Sequence, residues 1–125
     1  MHRVVVLASL VLLGACSRSE PSGGVASAQA QITPEALAMF KMRCAPCHGE
    51  GGHGDGPGAA ALDPKPRNYT DASWQKSVTD DQIKKTILYG GAAVGKSPNM
   101  PPNQDLDGKP ELDGLVAVVR SFNGK

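Results

Sequence analysis

The apolar positions of this chain fall into four groups, set apart by stretches in which glycine and proline dominate. The first is the run Val4 to Leu13 behind the basic start Met1-His2-Arg3; ten apolar or small residues are too few to cross a bilayer as a helix, so it predicts an export signal. The second places Ala36, Leu37, Phe40 and Cys44 on one face at helical spacing. Thr33 stands where a cap belongs, Pro34 suits the first helical position and Glu35 the positive end of the dipole. A helix is therefore expected from Thr33 to about Cys44, with Pro46 in a tight turn behind it. The third group opens on Thr79-Asp80-Asp81-Gln82, a capping-box pattern, and runs through Ile83, Thr86 and Ile87 to Tyr89, where Gly90 is the expected stop. Its Ile83/Ile87 stripe reads as core, with Lys84 and Lys85 pointing away. The fourth, Leu112, Leu115, Val116, Val119 and Phe122, predicts a last helix over about Pro110 to Phe122. Gly114 interrupts it at a cost of about 1 kcal/mol relative to alanine.

The intervening stretches read as irregular. Gly49 to Ala61 contains six glycines and Pro57, which argues for a loop whose backbone approaches something closely; no GxxxxGK[ST] pattern is present, so phosphate binding is unsupported. Asp63 to Trp74, with Pro64 and Pro66, reads as extended, and Gly91 to Gly108 as loop. Two terminal helices with apolar faces predict an all-α fold of three main helices, the first and last packed together.

Residues 17–31 are mostly Ser, Gly, Ala and Gln, a flexible tether of about 20 Å r.m.s. span. The expected organisation is a signal at 1–15, a tether at 16–31 and one domain at 32–125. So small a domain, with one Trp, two Tyr and two Phe in the chain, has a thin core and usually needs a metal, disulfides or a cofactor. Lys and Arg total 13 against 12 Asp and Glu, and loss of Arg3 with the leader leaves the two equal. That balance gives no case for nucleic acid and no strong steering toward a charged partner. Lys76, Lys84, Lys85 and Lys96 read as solvated surface lysines rather than a ring about a cofactor edge.

The three cysteines carry the chemistry. Cys44-Ala45-Pro46-Cys47-His48 is a CxxCH run, the attachment pattern of c-type haem: two thiols each form a thioether to one vinyl group and the adjacent imidazole reaches the iron. A zinc half-site needs four ligands, and outside the run only Cys16 and His2 or His53 remain. A thioredoxin-like pair expects βαβ surroundings in place of short helices and Gly/Pro loops. His53, five residues beyond His48, reads as a solvated loop histidine. Ser97-Pro98-Asn99-Met100-Pro101-Pro102 holds a methionine that proline-stiffened chain can present at a fixed place, as a second axial ligand or as a buried loop anchor. Met39 and Met42 sit too near the attachment site to reach the other face. Arg67 and Trp74 are candidate partners for haem propionates, which are costly to bury unpaired.

Leu13-Gly14-Ala15-Cys16 resembles the lipobox of bacterial lipoproteins, in which cleavage precedes a cysteine that takes a lipid. The competing reading is an ordinary signal cut near Ala26 to Ala30. With Cys16 lipidated and Cys44 and Cys47 on haem, no thiol is left for a disulfide. The resemblance implies an anchor on the periplasmic side of a bacterial membrane, and Ser17 resembles the sorting pattern of the outer membrane rather than the inner.

From about Thr33 to Asn123 the chain resembles monohaem class I cytochrome c domains, in the order CxxCH, glycine-rich loop, middle helix, Met-Pro loop and last helix. The resemblance implies one covalent haem c on Cys44 and Cys47, His48 as proximal ligand, Met100 as distal ligand, and Pro57 as the residue whose carbonyl accepts from the histidine. Phe40 matches the aromatic at the helix crossing, whereas Val118 stands where the family often has an aromatic. The implied function is single-electron transfer between redox proteins by a monomer that makes no substrate bonds. Two other readings stay open: a fixed haem subunit of a larger oxidoreductase, and an open-site haem enzyme or sensor.

Overall fold

The computed structural model describes residues 30–125, so the expected signal, Cys16 and nearly all of the tether lie outside the described residues. Among those residues all regular structure is helical. The chain opens with α1 (Pro34–Met39), passes without a break through a π-helical segment (Phe40–Cys44) and ends this rod in α2 (Ala45–His48). Thr33 Oγ1 accepts from the Ala36 N–H at 3.1 Å and Pro34 opens the helix, as expected.

The rod does not stop at Cys44, and Pro46 is not in a turn: it lies in the first turn of α2, where a missing N–H is tolerated. The π segment inserts one residue into the helical phase. Buried positions therefore run Ala36, Phe40, then Ala45 and His48, and Cys44 leaves the core face for a half-buried position. Four-residue spacing from Phe40 placed Cys44 in the core; the inserted residue gives that place to Ala45.

α5 (Pro110–Ser121) packs on α1 and α4 (Asp80–Ala93) packs on α5. Phe40 meets Phe122 with ring centroids 5.4 Å apart, while Val118 is 1 % exposed. The aromatic contact of the terminal helices thus comes from Phe122. Gly114 is the close-approach point, since a Cβ there would lie 2.6 Å from the Ala36 Cβ. Gly114→Ala gains about 1 kcal/mol of helix propensity but forces apart two backbones, an overpacking cost of about 1–3 kcal/mol. Net destabilisation is expected in denaturant unfolding; a higher midpoint would show that the helices separate freely.

α4 has the expected capping box: the Thr79 N–H donates to Gln82 Oε1 at 2.8 Å and the Gln82 N–H to Thr79 Oγ1 at 3.2 Å. Gly90 ends its first section at φ 76°, as expected, and a further turn continues to Ala93. Two short 3₁₀ segments, Pro57–Ala61 and Gln104–Leu106, lie in stretches expected to be irregular. Trp74 is not on extended chain but on α3 (Ala72–Ser77), six residues whose register Asp71 sets by accepting from the N–H groups of Ser73 and Trp74. The Ser73 hydroxyl, then the Trp74 N–H, hold the Asp71 carboxyl below its ordinary range. A helix this short carries too little periodicity to be seen in sequence.

Candidate functional site

Every helix from α2 to α5, together with the π segment, contributes to the wall of one cavity of about 1420 Å³, larger than the roughly 300–1,000 Å³ of ordinary ligand pockets. Cys44, Cys47 and His48 enter from the α1–α2 rod and Met100 from the loop after α4. Much of the wall is apolar, including Phe40, Ile83, Ile87, Leu115 and Val119. Arg67 and Trp74 also line it, with the guanidinium carbon 5.7 Å from the indole centroid, a cation–π distance.

The glycine-rich loop wraps α2 by bonds that leave no room for side chains. Gly54 N–H donates to His48 O at 2.8 Å and Gly56 N–H to Cys47 O at 3.1 Å. A Cβ on Gly56 would strike the carbonyls of Ala45 and Pro46. This is the close backbone approach that the glycines predicted.

His48 Nδ1 lies 3.1 Å from the carbonyl oxygen of Arg67. A carbonyl only accepts, so Nδ1 carries the proton and Nε2 presents its lone pair. The expected Pro57 carbonyl does not do this, and Pro57 is not in the cavity wall. It opens the 3₁₀ turn Pro57–Ala61, while the extended segment through Pro66 and Arg67 runs beside the imidazole. Burial lowers the His48 pKa against the raising effect of the Arg67 carbonyl, which keeps the ring neutral and able to ligate.

Tyr69 was missed by sequence reasoning. Its ring stacks on the imidazole at 4.5 Å between centroids, and its hydroxyl donates to Nε2 at 3.1 Å. That lone pair serves either a hydroxyl donor or a metal. Full burial raises the Tyr69 phenol well above its ordinary range. An aromatic between Asn68 and Thr70 gave no periodic signal of burial; its place follows from Gly52 O accepting its N–H and Gln75 Nε2 donating to its carbonyl.

Cys44 and Cys47 are free and half-buried, and burial pushes the Cys44 thiol up to about 11, outweighing Arg43. A reactive disulfide pair or thiolate metal site needs the opposite shift. No cluster of three or more His, Cys, Asp or Glu with metal-holding geometry occurs among the described residues, so the zinc reading gains no support. His53 is exposed on its loop, as expected. Met42 is 69 % exposed and Met39 packs against the core; neither enters the cavity wall.

The loop that carries Met100 is bonded to the end of α4. Gly91 N–H donates to Met100 O at 3.0 Å, and Asn103 N–H reaches the Ile87 and Leu88 carbonyls left open where Gly90 breaks the helix, at 3.0 and 3.1 Å. A Cβ on Gly90 would lie 2.8 Å from Met100 O. Among the described residues, Arg43, Lys65, Arg67, Lys85 and Lys96 line the cavity, and no Asp or Glu does. Lys85 and Lys96 are exposed, as expected of solvated lysines, and also contribute to the cavity wall, whereas Lys84 pairs with Asp113 on α5.

Residues 35–121 match the family profile described as Cytochrome c. The chain belongs to the cytochrome c family. It is 33 % identical over 93 residues to the cbb3-type cytochrome c oxidase subunit FixP of Azorhizobium caulinodans, a match covering 72 % of this chain and 29 % of FixP. This cytochrome domain therefore spans less than a third of that relative. Among solved structures it is similar to the Kuenenia stuttgartiensis reducing HAO-like protein complex Kustc0457/Kustc0458, at 33 % identity and TM-score 0.59, covering 75 % of this chain and 44 % of that one. It is also similar to the KustC0563 c-type cytochrome, at 30 % identity and TM-score 0.52, covering 70 % and 96 %. The cofactor of this cytochrome is covalently bound haem c. A large, mostly apolar cavity with two thiols, a neutral imidazole and a thioether in its walls fits that group.

Proposed function

We propose that this protein is a single-electron carrier whose haem is joined through Cys44 and Cys47 and ligated by His48 and Met100. The observation that carries the reading is one cavity into which two distant segments bring the CxxCH side chains and a thioether. When bound, haem supplies an iron that cycles between ferrous and ferric states, and a Met/His pair raises its potential. The Arg67 carbonyl holds the His48 tautomer with Nε2 free of a proton, Tyr69 fixes the ring plane, and the apolar walls exclude water. With His48 and Met100 both holding the iron, no place would be left on the metal for a substrate, and the protein would act as a carrier rather than an enzyme.

Arg67, with Trp74 beneath it, is the nearest candidate for a propionate. Of the five cations about the cavity, Arg43 and Arg67 face Asp105 and Asp71, and Lys65, Lys85 and Lys96 add positive charge that supports redox partners presenting acidic surfaces. The proposal includes export to the periplasm and lipid anchoring at Cys16, with the outer membrane favoured. A fixed subunit of a larger oxidoreductase is the second reading, supported by FixP and the HAO-like complex. Potentiometric titration of the purified holoprotein is expected to give a reversible one-electron Nernst curve, with carbon monoxide leaving the ferrous spectrum unchanged. Rapid carbon monoxide binding would overturn the carrier reading. Stoichiometric co-purification with an oxidoreductase from native membranes would select the subunit.

A further inference from the structure

Three ion pairs other than Arg67–Asp71 are formed on the described surface, and one of them has its cation in the cavity wall. Arg43, the residue before Cys44, donates through one guanidinium nitrogen to both carboxylate oxygens of Asp105, at 3.0 and 2.9 Å, and to Asn103 Oδ1 at 3.4 Å. Arg43 and Asn103 both line the cavity. Asn103 is also tied to the end of α4: besides its backbone bonds to Ile87 and Leu88, its side-chain amide donates to Ile87 O at 3.2 Å and Pro101 O at 3.4 Å. The attachment helix, the Met100 loop and α4 are thereby joined through one polar cluster beside the cavity.

We propose that Arg43 and Asn103 are positioning residues that clamp the Met100 loop to the haem-attachment helix, so that the cluster sets how readily Met100 leaves the iron. This rests on the reading of Met100 as an axial ligand. The pair is half-exposed, with side chains 36 % and 51 % accessible, so its effect is modest. It acts on local opening of one loop rather than on global unfolding.

Charge provides the discriminating test. Arg43→Gln removes a positive charge and Asp105→Asn a negative one, so a purely electrostatic influence on the iron would move the two variants in opposite directions. A clamp moves both the same way. The measurement is the rate at which imidazole displaces the native ligand of the purified ferric holoprotein, followed by loss of the weak far-red band of sulfur-ligated ferric haem, with far-ultraviolet circular dichroism melting alongside. The expected result is an acceleration of about two- to fivefold in each single variant. The double variant should be no faster than either single one, because both break one interaction. Asn103→Ala should accelerate displacement about tenfold, and Lys84→Gln, which breaks an ion pair on the α4–α5 side, should leave it unchanged. Opposite shifts for Arg43→Gln and Asp105→Asn, or wild-type rates in both, would overturn the clamp while the far-red band still upheld Met100. Absence of that band from the wild type would overturn both readings. Asp105→Asn keeps the proposal testable if Arg43→Gln fails to fold.

Discussion

Replacing Met100 by alanine is expected to abolish the far-red ferric band, convert the ferrous protein to a form that binds carbon monoxide, and lower the reduction potential. Axial ligands set haem potentials over about 0.8 V, so losing a thioether at one of two positions should shift it by on the order of 0.1 V or more. Thioether sulfur favours the ferrous state, and its loss leaves the ferric state relatively more stable. The loop itself should survive, because Gly91 and Asn103 hold it by backbone bonds that the side chain does not make. A folded Met100→Ala protein with an unchanged potential and no carbon monoxide binding would remove Met100 from the iron. Attention would then pass to another ligand.

The largest loss of stability is expected from Arg120→Ala. Arg120 sits at the end of α5 and gathers α3 and the start of α4: it donates to Gln75 O at 2.6 Å, Gln75 Oε1 at 2.9 Å, Val78 O at 2.7 Å and Asp80 Oδ1 at 2.8 Å. Gln75 is 5 % exposed and spends its own amide on Tyr69 O and Val119 O, so it has no second source of donors in the core. The Asp80 bond is exposed and worth little, whereas stranding buried acceptors costs about 1–3 kcal/mol for each. A loss of about 3 kcal/mol is expected, a fall of roughly 12–24 °C in Tm for a domain of this size. Arg120→Lys keeps the charge without the fork and should fall between. Denaturant unfolding at constant m-value checks this. A loss under about 1 kcal/mol would show that water replaces the guanidinium. Because α3 carries Trp74 and Gln75 braces Tyr69, the haem absorption of Arg120→Ala should also broaden.

Much of the site was legible because its chemistry is local in sequence. CxxCH places two thiols and an imidazole within five residues, whatever the rest of the chain does. Met100 was legible because a methionine among three prolines has no helical core to serve. The helix starts at Thr33 and Thr79 and the stop at Gly90 were legible for the same reason, since caps and breaks depend on neighbours in the chain.

What the sequence left open required contacts between segments far apart. Nothing in the order of residues says that the carbonyl facing His48 belongs to Arg67 and not Pro57, that Tyr69 stacks on the imidazole, or that Arg120 anchors a six-residue helix carrying Trp74. The π insertion at Phe40–Cys44 is likewise silent in sequence, because the same residues read at 3.6-residue spacing still give an apolar face. By itself the chain determined the all-α class, the covalent haem site, the cap positions and the methionine candidate, since each rests on a few adjacent residues. Only the tertiary structure decided which loop backbone orients the histidine, how Arg43 meets the Met100 loop, and why Gly114 is required against Ala36. Those follow from packing, which brings groups to within a few ångströms without leaving a pattern along the chain.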